Sequence, residues 1–528
     1  MLTETPVLIA GGGPTGLAAA LELGTRGIDC LVLEPRQTVA FDRPRAKTTS
    51  VRSMEHFRRW GLATRIRAVA PLPVAWSQDA VFCTSLLGDE ITRIHDVFAL
   101  TAQRSEVFAE TSQQIPQPLV EQVMRDALRD LPSVTFAAGW SLTRLAEGSA
   151  EVRVVAHSAG VAREIRAQYV LGCEGATSPT RAAIGARYVG RSDLRPNFNV
   201  VFRAPGLGQR VPHGPAVHYW VLNTAVPGLV GRLDLQDTWW AMAMGVEPDV
   251  GNADPYRLIR GLVGGDIEAD VLSTDPWTAR MLLVDRYQSE RVFLAGDAAH
   301  LNPPWGGHGF NTGLGDAVNV GWKLAATIQG WVGPAVLGSY QEERRPVAQR
   351  TIDDATRNMS MLSAELAAAA GDADLIHRAK ESEFHSLGLV LGYAYNDSRI
   401  IVRDGSPAAL PNSRVYEPTT RPGARLPHTW LADGRSLYDA LGPDLTVLQV
   451  SASADPSALL SAARQRGVPL ALLDVGGLDL SECLKGSMLI VRPDQHVAWR
   501  SSAGTLDERD AHGVLDTILG CANNGGGS

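Results

Sequence analysis

The sequence predicts an α/β chain in three sheet-bearing parts: a parallel layer begun at the N-terminus and completed from far along the chain, a strand-rich insertion, and a small C-terminal module. Three observations predict it. Residues 7–34 read as strand, glycine turn, helix and strand, a βαβ unit. Residues 75–100 and 185–280 carry strand-like alternation and tryptophans such as Trp220, Trp239, Trp240 and Trp277 without further glycine turns of that kind. Residues 445–519 run βαβ and then ββα, the order of a thioredoxin-like module.

In chain order, the first strand covers residues 7–10, the glycine turn 11–16, the helix extends to about residue 25, and the second strand covers 30–33. Residues 291–295 return to a strand, 313–329 form a helix, and helical sequence continues to about residue 378. In the last part, strands are expected at 445–450, 470–475, 488–492 and 497–499, with helices at 456–466 and 511–519, and a frayed glycine-rich tail at 523–528. The domain layout that follows assigns 1–74, 101–184 and 281–378 to the first layer, 75–100 and 185–280 to the inserted sheet, 379–420 to a linker and 421–528 to the terminal module.

Composition narrows the function classes. With 528 residues, 45% hydrophobic and 20% charged, the chain can bury two or three ordinary cores. A net charge of -8 offers no electrostatic reason to bind a polyanion, so no nucleic-acid partner is expected. Cys30, Cys83, Cys173, Cys483 and Cys521 form no CxxC and no Cys/His cluster, so neither a disulfide framework nor a metal site is expected, and a reducing cytoplasm fits. The apolar start lacks a basic flank and is broken by Gly11-Gly12-Gly13-Pro14, and nothing else is long and apolar enough to span, so no signal peptide or membrane partner is expected.

The sharpest motif is Gly11-Gly12-Gly13-Pro14-Thr15-Gly16 with Glu34 at the end of the second strand. Gly11 permits the tight turn, Gly13 lets the backbone approach a pyrophosphate, and Gly16 lets helix and strand pack closely. The helix start presents free N–H groups and a positive dipole end to phosphates, and Glu34 can accept from a ribose. A Rossmann-like dinucleotide site follows, open at this point to either FAD or NAD.

A distant run, Arg291-Val292-Phe293-Leu294-Ala295-Gly296-Asp297-Ala298-Ala299-His300, resembles the class A flavoprotein aromatic hydroxylases, the family of p-hydroxybenzoate hydroxylase and phenol hydroxylase. The resemblance implies FAD in a glutathione-reductase-type fold, with Gly296 and Asp297 at the ribityl chain. Pro304-Trp305-Gly306-Gly307-His308-Gly309-Phe310-Asn311-Thr312 resembles the family's flavin loop, which implies that Pro304, Gly306, Gly307, Gly309, Phe310 and Asn311 lie against the isoalloxazine ring. By the same resemblance Arg45 meets the phosphates and Gln117 the flavin nucleotide, with Arg36 close by. The runs Arg52-Ser53-Met54-Glu55, Tyr340–Pro346, which resembles a helix end of the family, Arg421–His428 and Arg492–Arg500 extend it over nearly the whole chain, and the terminal module points to the branch acting on phenols and actinobacterial natural products. One departure stands out: Glu174-Gly175 occupies the place of the family's Asp-Gly, which bears on nicotinamide reduction.

The reaction implied is hydroxylation of a phenolic or polyketide-like aromatic, with NADPH or NADH and O2, through a C4a-hydroperoxyflavin. The alternatives are oxidative decarboxylation or epoxidation of a polycyclic precursor, or a silent FAD and ligand binder. A halogenase is disfavoured because no Trp-x-Trp-x-Ile-Pro run occurs, and a plain dehydrogenase would leave the second motif unexplained. The resemblance also implies that Lys47 lies near the active site, which makes it the candidate anchor for a phenolate or carboxylate, with a surface lysine as its other reading. Period-2 alternation puts His218, Trp220 and Leu222 on one strand face as candidate pocket residues, the other face being equally allowed. The terminal module, lacking CxxC, is expected to serve packing or homo-oligomerisation.

Overall fold

The computed structural model describes residues 2–360, 372–407, 412–476 and 484–521. Part of the helical run expected to about residue 378, part of the linker, Cys483 and the tail at 523–528 lie outside them.

The first layer is a seven-stranded sheet around strand β1 (Glu4–Ala10). Beside it lies β2 (Cys30–Glu34), joined through helix α1 (Pro14–Gly24). Both strands are buried on both faces and read as nearly continuous apolar runs, as a covered parallel sheet requires. On its other side β1 pairs in parallel with Val161–Gly172, whose far end pairs in parallel with Val292–Leu294. The glycine turn and the Gly296-Asp297 run, about 280 residues apart in sequence, are thus brought to the same C-terminal edge of one sheet. The long helix His308–Gln329 packs on α1, burying Leu314, Ala317, Val318 and Leu324.

The inserted sheet has eight strands in the order His300–Leu301, Asp270–Val284, Tyr188–Arg203, Thr238–Met244, Gly228–Arg232, His218–Val221, Ala80–Cys83 and Glu90–Ile94. Only the pairing of His218–Val221 with Ala80–Cys83 is parallel. One face buries Phe198, Phe202, Tyr219 and Trp239 under the helix Pro255–Val263, and the opposite face turns toward the first layer.

The terminal module is a four-stranded sheet ordered Leu470–Asp474, Leu445–Gln449, Met488–Val491 and Val497–Ser501, with helices Ser457–Gln465 and Glu508–Ile518. Its central strand is parallel to the first and antiparallel to the third, the expected thioredoxin-like arrangement. A buried ion network ties it to the rest of the chain. Arg492 pairs with Glu343 at 2.6 Å and with Asp494 at 2.6 Å, Lys323 meets Glu343 at 2.7 Å, and Arg425 binds Glu55.

Three expectations are corrected. The flavin-loop helix starts at His308 rather than residue 313, because Gly306 (φ +93°) and Gly307 (φ +68°) already complete the turn. Tyr340–Pro346 lies inside the helix Ala335–Ser360 and is not its end, its Glu343 and Arg344 being fixed by Arg492 and Asp316. The linker boundary at residue 378 falls within the helix Ala373–Phe384, which packs against the inserted sheet.

Candidate active site

The turn after β1 has the geometry expected of its glycines. Gly11 has φ +101°, and a Cβ there would stand 2.4 Å from the Cys173 carbonyl oxygen; on Gly16 it would stand 1.9 Å from that of Gly11. At Gly13, the N-cap of α1, a Cβ would meet nothing within 4 Å. The first two glycines are therefore demanded by backbone packing, and the third opens onto free space in front of a helix N-terminus. Glu34 Oε2 accepts from the Gly12 amide at 2.8 Å, and Oε1 accepts from the Arg36 amide and Nε at 2.9 and 2.7 Å. A carboxylate has about four acceptor sites, so ribose hydroxyls can still be received.

Gln117 opens the helix Gln117–Leu128 and its side chain donates to Glu121 at 2.8 Å, while its backbone amide donates to the Ala46 carbonyl at 2.9 Å. That contact docks the loop carrying Arg45 (φ +54°) and Lys47 onto the rim. Across the cavity, Asp297 stands at the head of the second motif. Burial raises its pKa, and His300 and Arg45 oppose the rise. His300 is itself fully buried, held by Asp316 at 2.8 Å and Asn302 at 2.9 Å. Burial works against its charge, but Asp316 outweighs burial and raises its pKa.

One cavity of about 990 Å³ connects these groups. Gly11, Gly13, Pro14, Thr15, Glu34, Arg36, Arg45, Gln117 and Asp297 line one end; Lys47, Pro304, Gly306, Gly307, Gly309 and Phe310 line the middle. The far end is walled by His218, Trp240, Trp277, Trp305, Met242 and Glu383. Since the helix begins at His308, the unpaired N–H groups of its first turn belong to the glycine loop itself.

Several candidates stand elsewhere. Gly16 and Gly296 do not line the cavity; a Cβ on Gly296 (φ +59°) would meet Thr15 Oγ1 at 2.5 Å, so both serve close packing. Asn311 turns its side chain away, accepting from Ser50 N (2.9 Å) and Ser53 Oγ (2.7 Å) and donating to Gly307 O (2.8 Å). Trp220 and Leu222 are likewise outside the wall. Trp220 is fully buried with its ring 5.8 Å from Phe82, and the strand ends at Val221, so alternation does not carry Leu222 to the cavity.

Lys47 is half-buried, with Nζ 4.2 Å from the Trp240 ring centroid and 2.9 Å from Arg45 O. Burial lowers its pKa to about 8. His218 is pushed to about 3 by burial, with Lys47 and Lys380 adding to the fall, and is a neutral wall residue at ordinary pH. Glu174 spends its extra methylene locally: Oε2 accepts from Ser178 Oγ at 2.8 Å, and Oε1 from the Thr180 amide at 3.2 Å and from the Thr180 hydroxyl.

The residues therefore fit FAD: an uncrowded glycine at a helix start, an acid for the ribose, a carboxylate at the second strand end, and a glycine loop with free amides beside an aromatic chamber. Sequence reasoning missed Glu383 and the chamber role of Trp240, Trp277 and Trp305. Trp240 and Trp277 were visible as strand residues and Trp305 as part of the flavin-loop run, but nothing in the local pattern marked Glu383.

This fold and site define a flavoprotein, and comparison with known proteins agrees. Residues 4–355 match the family model "FAD binding domain" and residues 419–522 match "Aromatic-ring hydroxylase, C-terminal". The chain belongs to the FAD-dependent aromatic-ring hydroxylases. It is 31% identical to tetracenomycin B2 monooxygenase-dioxygenase of Streptomyces olivaceus, over 98% of this chain and 99% of that one. It is also 31% identical to 2,4-dichlorophenol 6-monooxygenase of Delftia acidovorans, over 94% and 95%. Among solved structures, RebC soaked with chromopyrrolic acid and holding 7-carboxy-K252c superposes with a TM-score of 0.90 at 32% identity, covering 99% of this chain and all of that one. Aklavinone-11 hydroxylase with FAD and aklavinone gives 0.84 at 25% identity, covering 98% and 99%. The protein is an FAD-dependent aromatic monooxygenase that uses NAD(P)H and O2. No helix among the described residues is long and apolar enough to cross a membrane.

Proposed function

We propose that this monooxygenase hydroxylates a flat polycyclic phenol, held in the chamber walled by Trp240, Trp277 and Trp305. The observation that carries this reading is the continuity of the cavity, from the glycine turn past Lys47 to those three indoles. Aromatic walls favour a planar ring system, and a cation resting on an indole face can receive a phenolate or carboxylate.

In this reading Gly11, Gly13, Pro14 and Thr15 hold the pyrophosphate, Glu34 with Arg36 the ribose, Arg45 and Gln117 the nucleotide rim, and Asp297 the ribityl chain. Bound FAD supplies the hydride acceptor and the oxygen-activating ring. Pro304, Gly306, Gly307, Gly309 and Phe310 set the loop against that ring, and the amides of the first helical turn favour negative charge there. Residues 1–74, 101–184 and 281–360 form the cofactor part, 75–100 and 185–280 the substrate sheet, joined in the substrate wall by the end of the helix Ala373–Phe384. Four described cysteines that are all free fit a reducing cytoplasm.

A second reading, oxidative decarboxylation, draws on the same Lys47, since its ammonium can take a carboxylate. Anaerobic flavin reduction by NADPH and NADH across a panel of polycyclic phenols and polycyclic carboxylic acids, followed by oxygen and mass analysis, separates the two. Ligand-accelerated reduction and a product with one added oxygen support hydroxylation; loss of CO2 supports the second reading. No acceleration with any member overturns both.

A further inference from the structure

The helix Ala373–Phe384 delivers an ion pair to the chamber that the cofactor site does not use. Lys380 Nζ meets Glu383 Oε2 at 2.8 Å, three residues apart on one helix face. Lys380 is fully buried and Glu383 almost so, yet Glu383 lines the cavity that Gly306 of the flavin loop also lines. Burying two charges costs more than an apolar pair of the same volume, so the fold alone gives no reason for them here. Lys380 lies with Nζ 4.1 Å from the Trp220 ring centroid, behind the chamber wall, and is fixed in place.

We propose that Glu383 accepts the hydroxyl proton of the phenolic substrate, with Lys380 as its positioning residue. Lys380 occupies one of the acceptor sites of the carboxylate, and a carboxylate has about four, so sites remain for the substrate. The O–H bond of the bound phenol breaks as an H–O bond to the carboxylate forms. The electron pair stays on the phenolic oxygen and enriches the ring, and after oxygen transfer the carboxylic acid returns the proton to that oxygen. Burial raises the pKa of Glu383, with Lys380 and the Gly306 amide opposing the rise, which brings a carboxyl toward the range where a general base works best. Other titratable or charged groups lining the cavity include Lys47, His218, His308, Asp275 and Arg280; His218 and His308 are pushed down by burial to about 3 and 4 and stay neutral.

The inference rests on the polycyclic-phenol reading, and its test separates the two. The holoenzyme is titrated with 2-hydroxyanthraquinone and with 2-methoxyanthraquinone, binding being read from quenching of the chamber tryptophans at a pH where the free phenol is un-ionised. The wild type is expected to prefer the phenol at least about tenfold, the worth of a charge-assisted hydrogen bond, and E383Q to show a preference under about threefold with its flavin spectrum unchanged. As a check needing no variant, the wild-type preference should fade as pH drops through the carboxylate range and Glu383 takes up a proton. A preference that persists in E383Q, is absent from the wild type, or ignores acid pH overturns the assignment. Failure of either enzyme to bind either probe overturns the polycyclic-phenol reading and the assignment with it.

Discussion

Gly13 and Gly16 are both glycines of one turn, yet they respond to different constraints. A side chain on Gly16 collides with the backbone of Gly11, whereas one on Gly13 enters open space. Gly13→Leu is therefore expected to leave the fold intact and fill the pyrophosphate cradle; the flavin-to-protein absorbance ratio of the purified variant should fall at least tenfold with a melting temperature close to that of the apoprotein. Lys47 is charged below its pKa of about 8 and neutral above it. Affinity for an anionic aromatic should accordingly fall as pH rises through 8, and Lys47→Met should weaken binding roughly tenfold to a hundredfold below that pH and remove the pH dependence, as titration by fluorescence will show.

At the scale of elements, the flavin loop and its helix form one device. Gly306 and Gly307 take left-handed conformations so that the helix starts immediately, and the His308–Gln329 helix is anchored deeper in by Asp316, which holds both His300 and Arg344 at 2.8 Å. Gly307→Ala meets no steric obstacle but forces an alanine to φ +68°, a strain of roughly 1–2 kcal/mol. The expected result is normal FAD content with slower anaerobic reduction by NADPH, because the loop amides shift relative to the ring. An unchanged reduction rate would show that the loop tolerates the strain without moving.

For the whole molecule, the terminal module is attached through charges rather than through a purely apolar seam. Arg492, Glu343, Lys323 and Asp494 are all buried, and Arg425 and Arg52 both bind Glu55. Removing one partner strands the others, so Arg492→Met should lower stability by about 3–5 kcal/mol in thermal or urea unfolding. Glu343 is burdened by burial, but Arg492 and Lys323 outweigh it and hold its pKa near 2, below the ordinary 4.5. A depressed carboxyl stabilises fully above its unfolded pKa, so this contribution should be lost as pH falls from about 4.5 toward 2. Acid unfolding monitored at both the flavin and the tryptophans would check it.

The sequence by itself determined the βαβ unit, the identity and order of the terminal strands, and the two glycine-bearing motifs, because each is a local pattern of spacing and backbone freedom. Residues 7–10 and 30–33 could be read as strands, Gly11 as a turn glycine and Gly16 as a packing glycine, without knowing what lay across from them. The tertiary structure decided which side chains meet in the chamber. His218 faces the cavity while Trp220, two residues on, stacks on Phe82, and Asn311 leaves the flavin loop to hold Ser50. Glu383 reaches the site from a helix whose sequence carries no signal beyond an i,i+3 charge pair. Burial and orientation at such positions depend on contacts between segments far apart in the chain, and no local spacing encodes them.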